Sequence, residues 1–322
     1  MADNLDTPKI SVVIPTYCRP QELNRLLRSL EQGSDRPDEV IVVNNATESV
    51  EVDPLKWDFA LTVHNASLGG NASGARNIGA RLARFEVCVF IDDDNIVDTD
   101  FIKMMRCEFL SDDVAFIGPV ILKGDTDLVW SAGSTISSWT TRTRMIFEGI
   151  DYSSLPTNGH WKSDAMPDCY AVRRSVFFGL GGLDESVFPL NHEEADFGYR
   201  LRAHGYFEAV SPRAIVRHYG FTESSYPGME LIAAFERHGL WRVRSIVRGR
   251  VLLFRRHSHG AKRVTTLIFG VPSWAILSVM SLLTARVGVK QLQNILKGIF
   301  VGLFEGYSDE LKPLPKPWST EA

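Results

Sequence analysis

Apolar residues in the first half of the chain form short unbroken runs that alternate with stripes spaced three and four apart. Lys9–Tyr17 carries Ile10, Val12, Val13 and Ile14 ahead of Pro15, which predicts a strand buried on both faces, as in a parallel sheet. Leu23, Leu26, Leu27 and Leu30 then mark one side of a helix, with Pro20 suited to its first turn. Glu39–Val43 predicts a second buried strand, Phe59–Val63 a third and Glu86–Ile91 a fourth. Ser73–Arg84 and Asp98–Leu110 read as helices, the latter capped by Asp98 or Thr99. This alternation predicts a doubly wound α/β layer, which binds ligands at the carboxyl ends of its strands. Beyond Asp113 the pattern is mixed. Val114–Ile121, Leu128–Ile136 and Tyr170–Val172 predict strands between Gly and Ser turns, and Glu193–Ala203 predicts a helix closed by Gly205. From about Met229 the pattern is nearly all helical, no repeat is visible, and Thr222–Gly228 offers a domain boundary.

Composition excludes several classes. The 322 residues are 44% hydrophobic and 23% charged, ordinary for a globular chain and unlike a disordered, collagenous or disulfide-stapled one. Cys18, Cys88, Cys107 and Cys169 are too dispersed for a zinc framework and fit reduced thiols. The first residues lack the basic and apolar parts of a signal peptide, so the expectation is a cytoplasmic chain. Net charge is −4, but Arg237–Phe304 holds twelve Lys/Arg and no acid, leaving −16 for the remainder. Two electrically different regions are joined: 1–225, with the alternating α/β pattern, and 226–322, a helical region suited to membrane association or oligomerisation.

Four places carry candidate chemistry. Asp92, Asp93 and Asp94 follow the fourth strand directly, and three adjacent carboxylates need solvent, a helix N-terminus or a cation. A hard divalent ion, Mg²⁺ or Mn²⁺, shared with substrate phosphates is one solution; a solvated acidic loop is the other. Asn65–Gly79 is glycine-rich and leads into a helix whose first turn bears Arg76, a combination suited to a diphosphate or, more simply, to a tight turn. Glu193, Glu194 and Asp196 open the Glu193–Ala203 helix. The helix dipole favours acids there, yet three exceed what capping needs, and one is a candidate general base. His218 ends a short apolar run and gains a role only if the fold brings it to the Asp triplet.

Five motifs in order resemble family-2 glycosyltransferases of the GT-A fold: Val12-Val-Ile-Pro-Thr-Tyr17, Asp38–Asn45, Gly74-Ala-Arg-Asn-Ile-Gly79, Asp92–Asp94, and Gly181-Gly-Leu-Asp184-Glu185 with Glu193–Arg200. The resemblance covers roughly residues 9–220 and is nearest to the rhamnosyl- and galactofuranosyltransferase-like branch that builds surface polysaccharides and glycolipids. It implies a Rossmann-like mixed sheet and an inverting, metal-dependent transfer of a sugar from a nucleotide-sugar donor to a lipid-linked or polysaccharide acceptor. It further implies that Pro15, Thr16 and Tyr17 line the nucleotide pocket and that Asn44 and Asn45 contact base and ribose. Arg76 would lie near the diphosphate, with Asp92, Asp93 and Asp94 as the DxD-type motif. Asp94 is then the direct metal ligand, and His218 the distal one. Glu194 takes the base position, with Asp196 and Glu193 as alternatives, because the family more often has Asp there. Asn44 also departs from the family, which often has Asp.

The basic tail points to a membrane. Arg237–Arg263 carries nine Lys/Arg among apolar residues, and Val264–Thr284 has no charge but is interrupted at Gly270 and Pro272. The break and the polar residues favour a surface-lying or re-entrant helix over a spanning one. Val289, Leu292, Ile295, Leu296, Ile299, Phe300 and Leu303 form a stripe opposed by Lys290, Gln293, Asn294 and Lys297, expected to lie in an anionic interface at the inner face of the cell membrane. The second reading packs these helices on the catalytic domain or on another copy in a homo-oligomer. No nucleic-acid module accompanies the bases. Two competing functions remain: a non-catalytic nucleotide-sugar or glycan-binding protein, disfavoured by the intact acids, and a sugar nucleotidyltransferase. The latter needs Gly, Arg and Lys where this chain has Thr16-Tyr17-Cys18-Arg19.

Overall fold

A computed structural model describes residues 7–54, 56–220, 229–285 and 287–308. Its contacts divide the chain into two units. The first takes in Met1–Thr135, Met145–Leu183 and Phe197–Phe221; the second takes in Ile136–Arg144, Asp184–Asp196 and Thr222–Ala322. The boundary expected at Thr222–Gly228 lies outside the described residues.

The first unit opens as the apolar pattern dictates: β1 (Ile10–Thr16), α1 (Pro20–Glu31), β2 (Glu39–Asn44), β3 (Ala60–Asn65), α2 (Ala72–Leu82) and β4 (Val87–Ile91). β5 (Asn95–Val97), α3 (Phe101–Glu108), β6 (Phe116–Lys123), β7 (Val129–Ser131), β8 (Ser134–Ile136) and β9 (Thr143–Met145) follow. Next come β10 (Trp161–Ser163), β11 (Cys169–Arg173), α4 (Arg174–Gly179), α5 (Glu193–Ala203) and β12 (Glu208–His218). The main sheet runs β10-β12-β6-β11-β4-β1-β2-β3, with β5 on β12 and β7 on β6, while β8 and β9 pair separately. Its β4-β1-β2-β3 portion is parallel, whereas β11 is antiparallel to both β4 and β6. This is the expected mixed α/β sheet. Alternation along β1 splits the core: Ile10, Val12 and Ile14 pack with Leu23, Leu26, Phe101 and Met105, and Val13 packs on the other face with Ala75, Phe90 and Phe177. α2 lies so close to the sheet that a Cβ on Gly79 would stand 2.2 Å from Val13 Cγ1.

Several expected elements change. The third strand is not buried but forms the outer edge of the sheet, pairing only with β2 and largely exposed. Leu128–Ile136 is two strands, because Gly133 adopts φ +82° and breaks the run. The helix expected from Asp98 starts at Phe101, its N-cap is Asp100, and neither Asp98 nor Thr99 caps it. β5 has taken the preceding residues into the sheet. The largest gain over the sequence pattern is β12, eleven residues long, which contains Pro212 at a register shift between Val210 and Ile215.

From Met229 the described residues of the second unit are mostly helical, as the apolar pattern predicts. α6 (Met229–His257) is broken at Gly239, where φ is 67°. α7 (Gly260–Thr265) continues through a wide turn, Thr266–Gly270, into α8 (Val271–Thr284), and α9 (Val289–Tyr307) completes it. α9 lies along α6 through Gly298, Gly302 and Gly306, which meet Val243, Val247 and Val251 at the same four-residue spacing. A Cβ on Gly298 would stand 2.7 Å from Val243 Cγ1, and one on Gly306 would stand 2.5 Å from Val251 Cβ. Side-chain-free ridges of this kind let two backbones approach closely. Arg244 clamps the contact through Glu305 (Nε to Oε2 2.6 Å), and Arg255 donates to the Gly306 carbonyl at 2.7 Å.

That contact corrects the role given to the α9 stripe. Ile295 and Ile299 are buried, and Leu292, Leu296 and Leu303 pack against the same cluster with Val243, Val247, Trp274 and Leu282. These five residues face protein, because the three glycines beside them draw this side of α9 onto α6, whereas Val289 and Phe300 of the same expected stripe stay exposed. Gly302 tests the packing. A Cβ there would stand 2.8 Å from the Arg244 carbonyl oxygen, which is backbone and cannot rotate away. Alanine improves helix propensity by about 0.5–1 kcal/mol, whereas overpacking costs about 1–3 kcal/mol, so the clash dominates. Gly302→Ala is therefore expected to lower stability by about 1–2 kcal/mol, read as a fall in the urea midpoint. An unchanged or raised midpoint would refute close packing at this crossing.

Candidate active site

The strand order reverses at β1: the chain leaves it for β2 on one side and returns through α2 to β4 on the other. Carboxyl ends at such a switch point diverge and leave a crevice. Thr16 ends β1 there, and Asp92, Asp93 and Asp94 follow β4. Antiparallel pairing of Cys169 with Ile91 sets Asp168 opposite Asp92, whose backbone N–H donates to the Asp168 carbonyl at 3.0 Å. β12 delivers His218, which pairs in register with Asn95 of β5, and the Tyr219 N–H donates to the Asp94 carbonyl at 3.0 Å. Residues scattered from 16 to 218 thereby meet at one end of the sheet.

Four carboxylates meet three cationic side chains in this cluster. Thr16 Oγ1 donates to Asp93 at 2.7 Å, and Arg19 Nη1 bridges Asp93 at 3.1 Å and Asp94 at 2.8 Å. Arg76, buried, donates from Nη2 to Asp92 at 2.6 Å. His218 lies with Nδ1 3.5 Å from Asp94 and Nε2 3.5 Å from Asp168, its ring against Trp130. Burial pushes Asp93 up to about 7, with the charges of Asp94 and Asp92 adding to it against Arg19. Asp168 rises to about 7, again from burial first. Burial alone would lower His218, but Asp168, Asp94 and Asp92 outweigh it and carry the imidazole to about 9. His218 and Arg19 in turn hold Asp94 below the usual carboxylate range despite its burial.

These residues fit a hard divalent ion in their donor chemistry. Asp92 and Asp94 offer carboxylate oxygens at the strand end, and Mg²⁺-type sites commonly use one or two such groups plus substrate phosphates. Gly220 keeps the flank of Asp94 open, since a Cβ there would stand 2.1 Å from Asp94 Oδ2. No preformed cage of three or more His, Cys, Asp or Glu donors exists among the described residues. His218 faces carboxylates with both ring nitrogens, so in its protonated form it serves as their cationic partner. Ligation by its ring requires that proton to leave.

The other expected contacts divide. Pro15 and Thr16 are buried at the end of β1, and Tyr17 is half-buried beside them. Asn44 is wholly buried. Its amide donates to the Glu48 carbonyl at 2.6 Å and to Asn65 Oδ1 at 2.9 Å, so it shapes the β2 end from within. Asn45 ties that end to the glycine-rich loop, donating to the Asn71 carbonyl at 3.2 Å. Gly69 and Gly70 take positive φ, and Asn71 caps α2 by accepting from the Gly74 N–H at 2.8 Å. Arg76 supports the triplet from below.

The acidic turn of α5 packs with the second unit and forms a group of its own. It follows two successive left-handed residues, Asn191 (φ 72°) and His192 (φ 67°). Strain of this kind persists only where the surroundings enforce it. Asp196 is wholly buried and accepts from Arg256 Nη1 at 2.9 Å and from His257 Nε2 at 2.8 Å, while Arg256 also reaches Asp184 at 2.8 Å. Glu193 is buried as well, and Glu194, between them, is the half-exposed member. The turn is thus anchored by Asp196 and presents Glu194.

Sequence reasoning missed Arg19, Asp168 and Gly220. Arg19 follows the first strand end closely enough to be suspected. Asp168 and Gly220 join the site only through the β11 and β12 pairings, which leave no local signal.

Comparison with known proteins bears on the fold and the family. A curated relative from Haemophilus influenzae, described as an uncharacterized glycosyltransferase, is 33% identical over 202 residues, covering 60% of this chain and 61% of the relative. The Salmonella typhimurium O-antigen chain rhamnosyltransferase RfbN is 27% identical over 217 residues, 65% of this chain and 66% of that protein. Thus the chain spans about two thirds or less of the length of these relatives. Among solved structures, GalNAc-T7, crystallised with UDP, GalNAc and Mn²⁺, shares the fold with a TM-score of 0.60 at 17% identity, over 78% of this chain and 48% of that one. The fold is therefore GT-A-like, with the sheet order described above. The glycosyl transferase family 2 profile matches residues 11–178, just over half of the chain, and the chain belongs to glycosyl transferase family 2.

Proposed function

We propose that this protein transfers a sugar from a nucleotide-sugar to a hydroxyl of a surface polysaccharide, a glycolipid or a lipid-linked oligosaccharide, with divalent-cation assistance and inversion at the anomeric carbon. The observation that carries the reading is the carboxylate cluster at the β1/β4 switch point, where Asp92 and Asp94 keep donor oxygens beside Arg19 and Arg76. The O-antigen rhamnosyltransferase relative supports the acceptor class, and the UDP and Mn²⁺ of GalNAc-T7 support a nucleotide-sugar and a divalent ion.

Asp94 and Asp92 would hold Mg²⁺ or Mn²⁺, which when bound supplies positive charge for the departing diphosphate. Thr16 and Arg19 keep Asp93 and Asp94 in place, and Arg76 does the same for Asp92. His218 lies between Asp94 and Asp168 and, when protonated, offsets their mutual repulsion. Pro15, Thr16 and Tyr17 border the nucleotide. Glu194 accepts the acceptor hydroxyl proton as its oxygen bonds to the anomeric carbon, and the carbon–oxygen bond to the diphosphate breaks with its electron pair on the leaving group. A single displacement inverts the carbon.

Variant kinetics, chelation and product analysis test this. Asp94→Ala should lose cation-dependent release of nucleoside diphosphate from donor and acceptor while circular dichroism shows the fold retained, with some fall in the thermal midpoint because Arg19 and His218 lose their shared anion. Undiminished transfer in EDTA would sink the metal reading. Glu194→Gln should retain donor binding and lower turnover by about two to four powers of ten. Asp196→Asn should instead lower stability, by about 3 kcal/mol, because it removes the buried anion that Arg256 and His257 face. If Asp196→Asn loses turnover with stability intact and Glu194→Gln is mild, the base is misassigned. NMR of the product reads the anomeric configuration.

A further inference from the structure

The second unit carries an exposed apolar face that the catalytic reading does not use. Gly260–Thr284 is the one helical stretch among the described residues long and apolar enough to cross a membrane by length and composition. It has two sides. Val271, Trp274, Ala275, Ser278 and Leu282 are buried, whereas Phe269, Ile276, Met280 and Leu283 recur at helical spacing on the exposed side, with Phe269 65% and Leu283 63% exposed. No charge interrupts Val264–Thr284. α9 adds Phe300 and Phe304, 72% and 71% exposed, on the side that also bears Lys290 and Lys297. Lys262 and Arg263 stand exposed just ahead of the apolar stretch. Single exposed apolar residues are ordinary on a soluble surface, but a patterned run along a whole helix marks an interaction face.

Three occupants can be weighed. Full insertion across a bilayer is disfavoured by the buried side. Trp274, Ala275 and Leu282 pack with Val243, Ile246 and Val247 of α6, so crossing would carry the six arginines of Arg242–Arg256 toward hydrocarbon. A second copy would bring two basic rims together, and like charges repel. An anionic lipid surface satisfies both features: the apolar side enters the headgroup–acyl boundary, and the rim of Lys262, Arg263, Lys290 and Lys297 meets negative headgroups. The absence of any acid from Arg237 to Phe304 leaves nothing in that stretch to oppose the attraction. We propose that this face of the second unit docks on a bilayer containing anionic lipid, with α8 lying in the membrane plane. The buried stripe Leu292, Ile295, Leu296, Ile299 and Leu303 takes no part.

The test is co-sedimentation of the full chain with phosphatidylcholine vesicles, with and without phosphatidylglycerol. It involves no sugar transfer, so its outcome is separate from that of the catalytic proposal. The unmodified chain should sediment with phosphatidylglycerol vesicles, less so as salt rises and the roughly 10 Å screening length at 0.1 M shortens. Ile276→Asp with Met280→Asp, at exposed positions, should abolish sedimentation on both vesicle types while circular dichroism and the thermal midpoint are retained. Lys290→Ala with Lys297→Ala should weaken only the phosphatidylglycerol-dependent part, by about fivefold per lysine, equivalent to about 1 kcal/mol each. Lys103→Glu, exposed on α3 of the first unit, should change nothing. Unchanged sedimentation of the double Asp variant would overturn the proposal. So would a lipid-free dimer that this variant converts to monomer, since the face would then belong to a second copy.

Discussion

Crowding of negative charge at one end of a mixed sheet is the constraint around which the first unit is organised. Asp92, Asp93, Asp94 and Asp168 converge there, and at separations of a few ångströms in a partly desolvated crevice their mutual repulsion is large. The fold answers with counter-charges drawn from distant segments: Arg19 from the turn after β1, Arg76 from the buried side of α2, and His218 from the end of β12. Each arrives only because a strand or helix is registered to deliver it. The sheet order, the short β5 and the glycine at 220 are linked to the same problem of holding acids close without collapsing the space beside Asp94. A site so arranged holds carboxylate oxygens beside cationic side chains at one end of the sheet.

The second unit depends on a different physical device, contact between helix backbones where side chains are absent. Gly298, Gly302 and Gly306 seat α9 on the valine ridge of α6, and the C-terminal end of α6 places Arg256 and His257 on Asp196. The helical region thereby holds the acidic turn that opens α5. Its basic residues fall into two populations. Arg244, Arg250, Arg255 and Arg256 are engaged inside the unit, Arg250 lying 4.2 Å over the Trp274 ring, while Lys262, Lys290 and Lys297 stand exposed. Charge totals alone merge these populations, although only the second can act on an external surface.

Much of this molecule was legible in its sequence. Buried strands announce themselves as β-branched runs, and the Leu23–Leu30 stripe and Pro20 specify α1 with little help from elsewhere. The glycine-rich segment and the Asp triplet could be assigned to strand and helix ends, because those ends carry the polar residues that regular structure cannot accommodate. The family resemblance carried by five ordered motifs agrees with the profile match over residues 11–178. Less visible were the features set by neighbours. β3 reads like its inner companions and lies at the edge, and β12 contains a proline that argues locally against a strand.

What the sequence determined by itself was therefore the set of elements and the chemical types gathered at their ends, since periodicity and local sterics act within a few residues. What the tertiary structure decided was which side chains share a charge balance and which apolar faces are covered. Asp168 could not be joined to Asp92 until β11 paired antiparallel with β4. Arg76 reaches Asp92 only because β4 sets the triplet beside the first turns of α2. Leu292, Ile295 and Ile299 look as fit for lipid as Phe300 and Phe304 do, and the α6–α9 crossing alone separates them. Burial and long-range pairing depend on surfaces contributed by residues far away in the chain, and no window of sequence contains both partners.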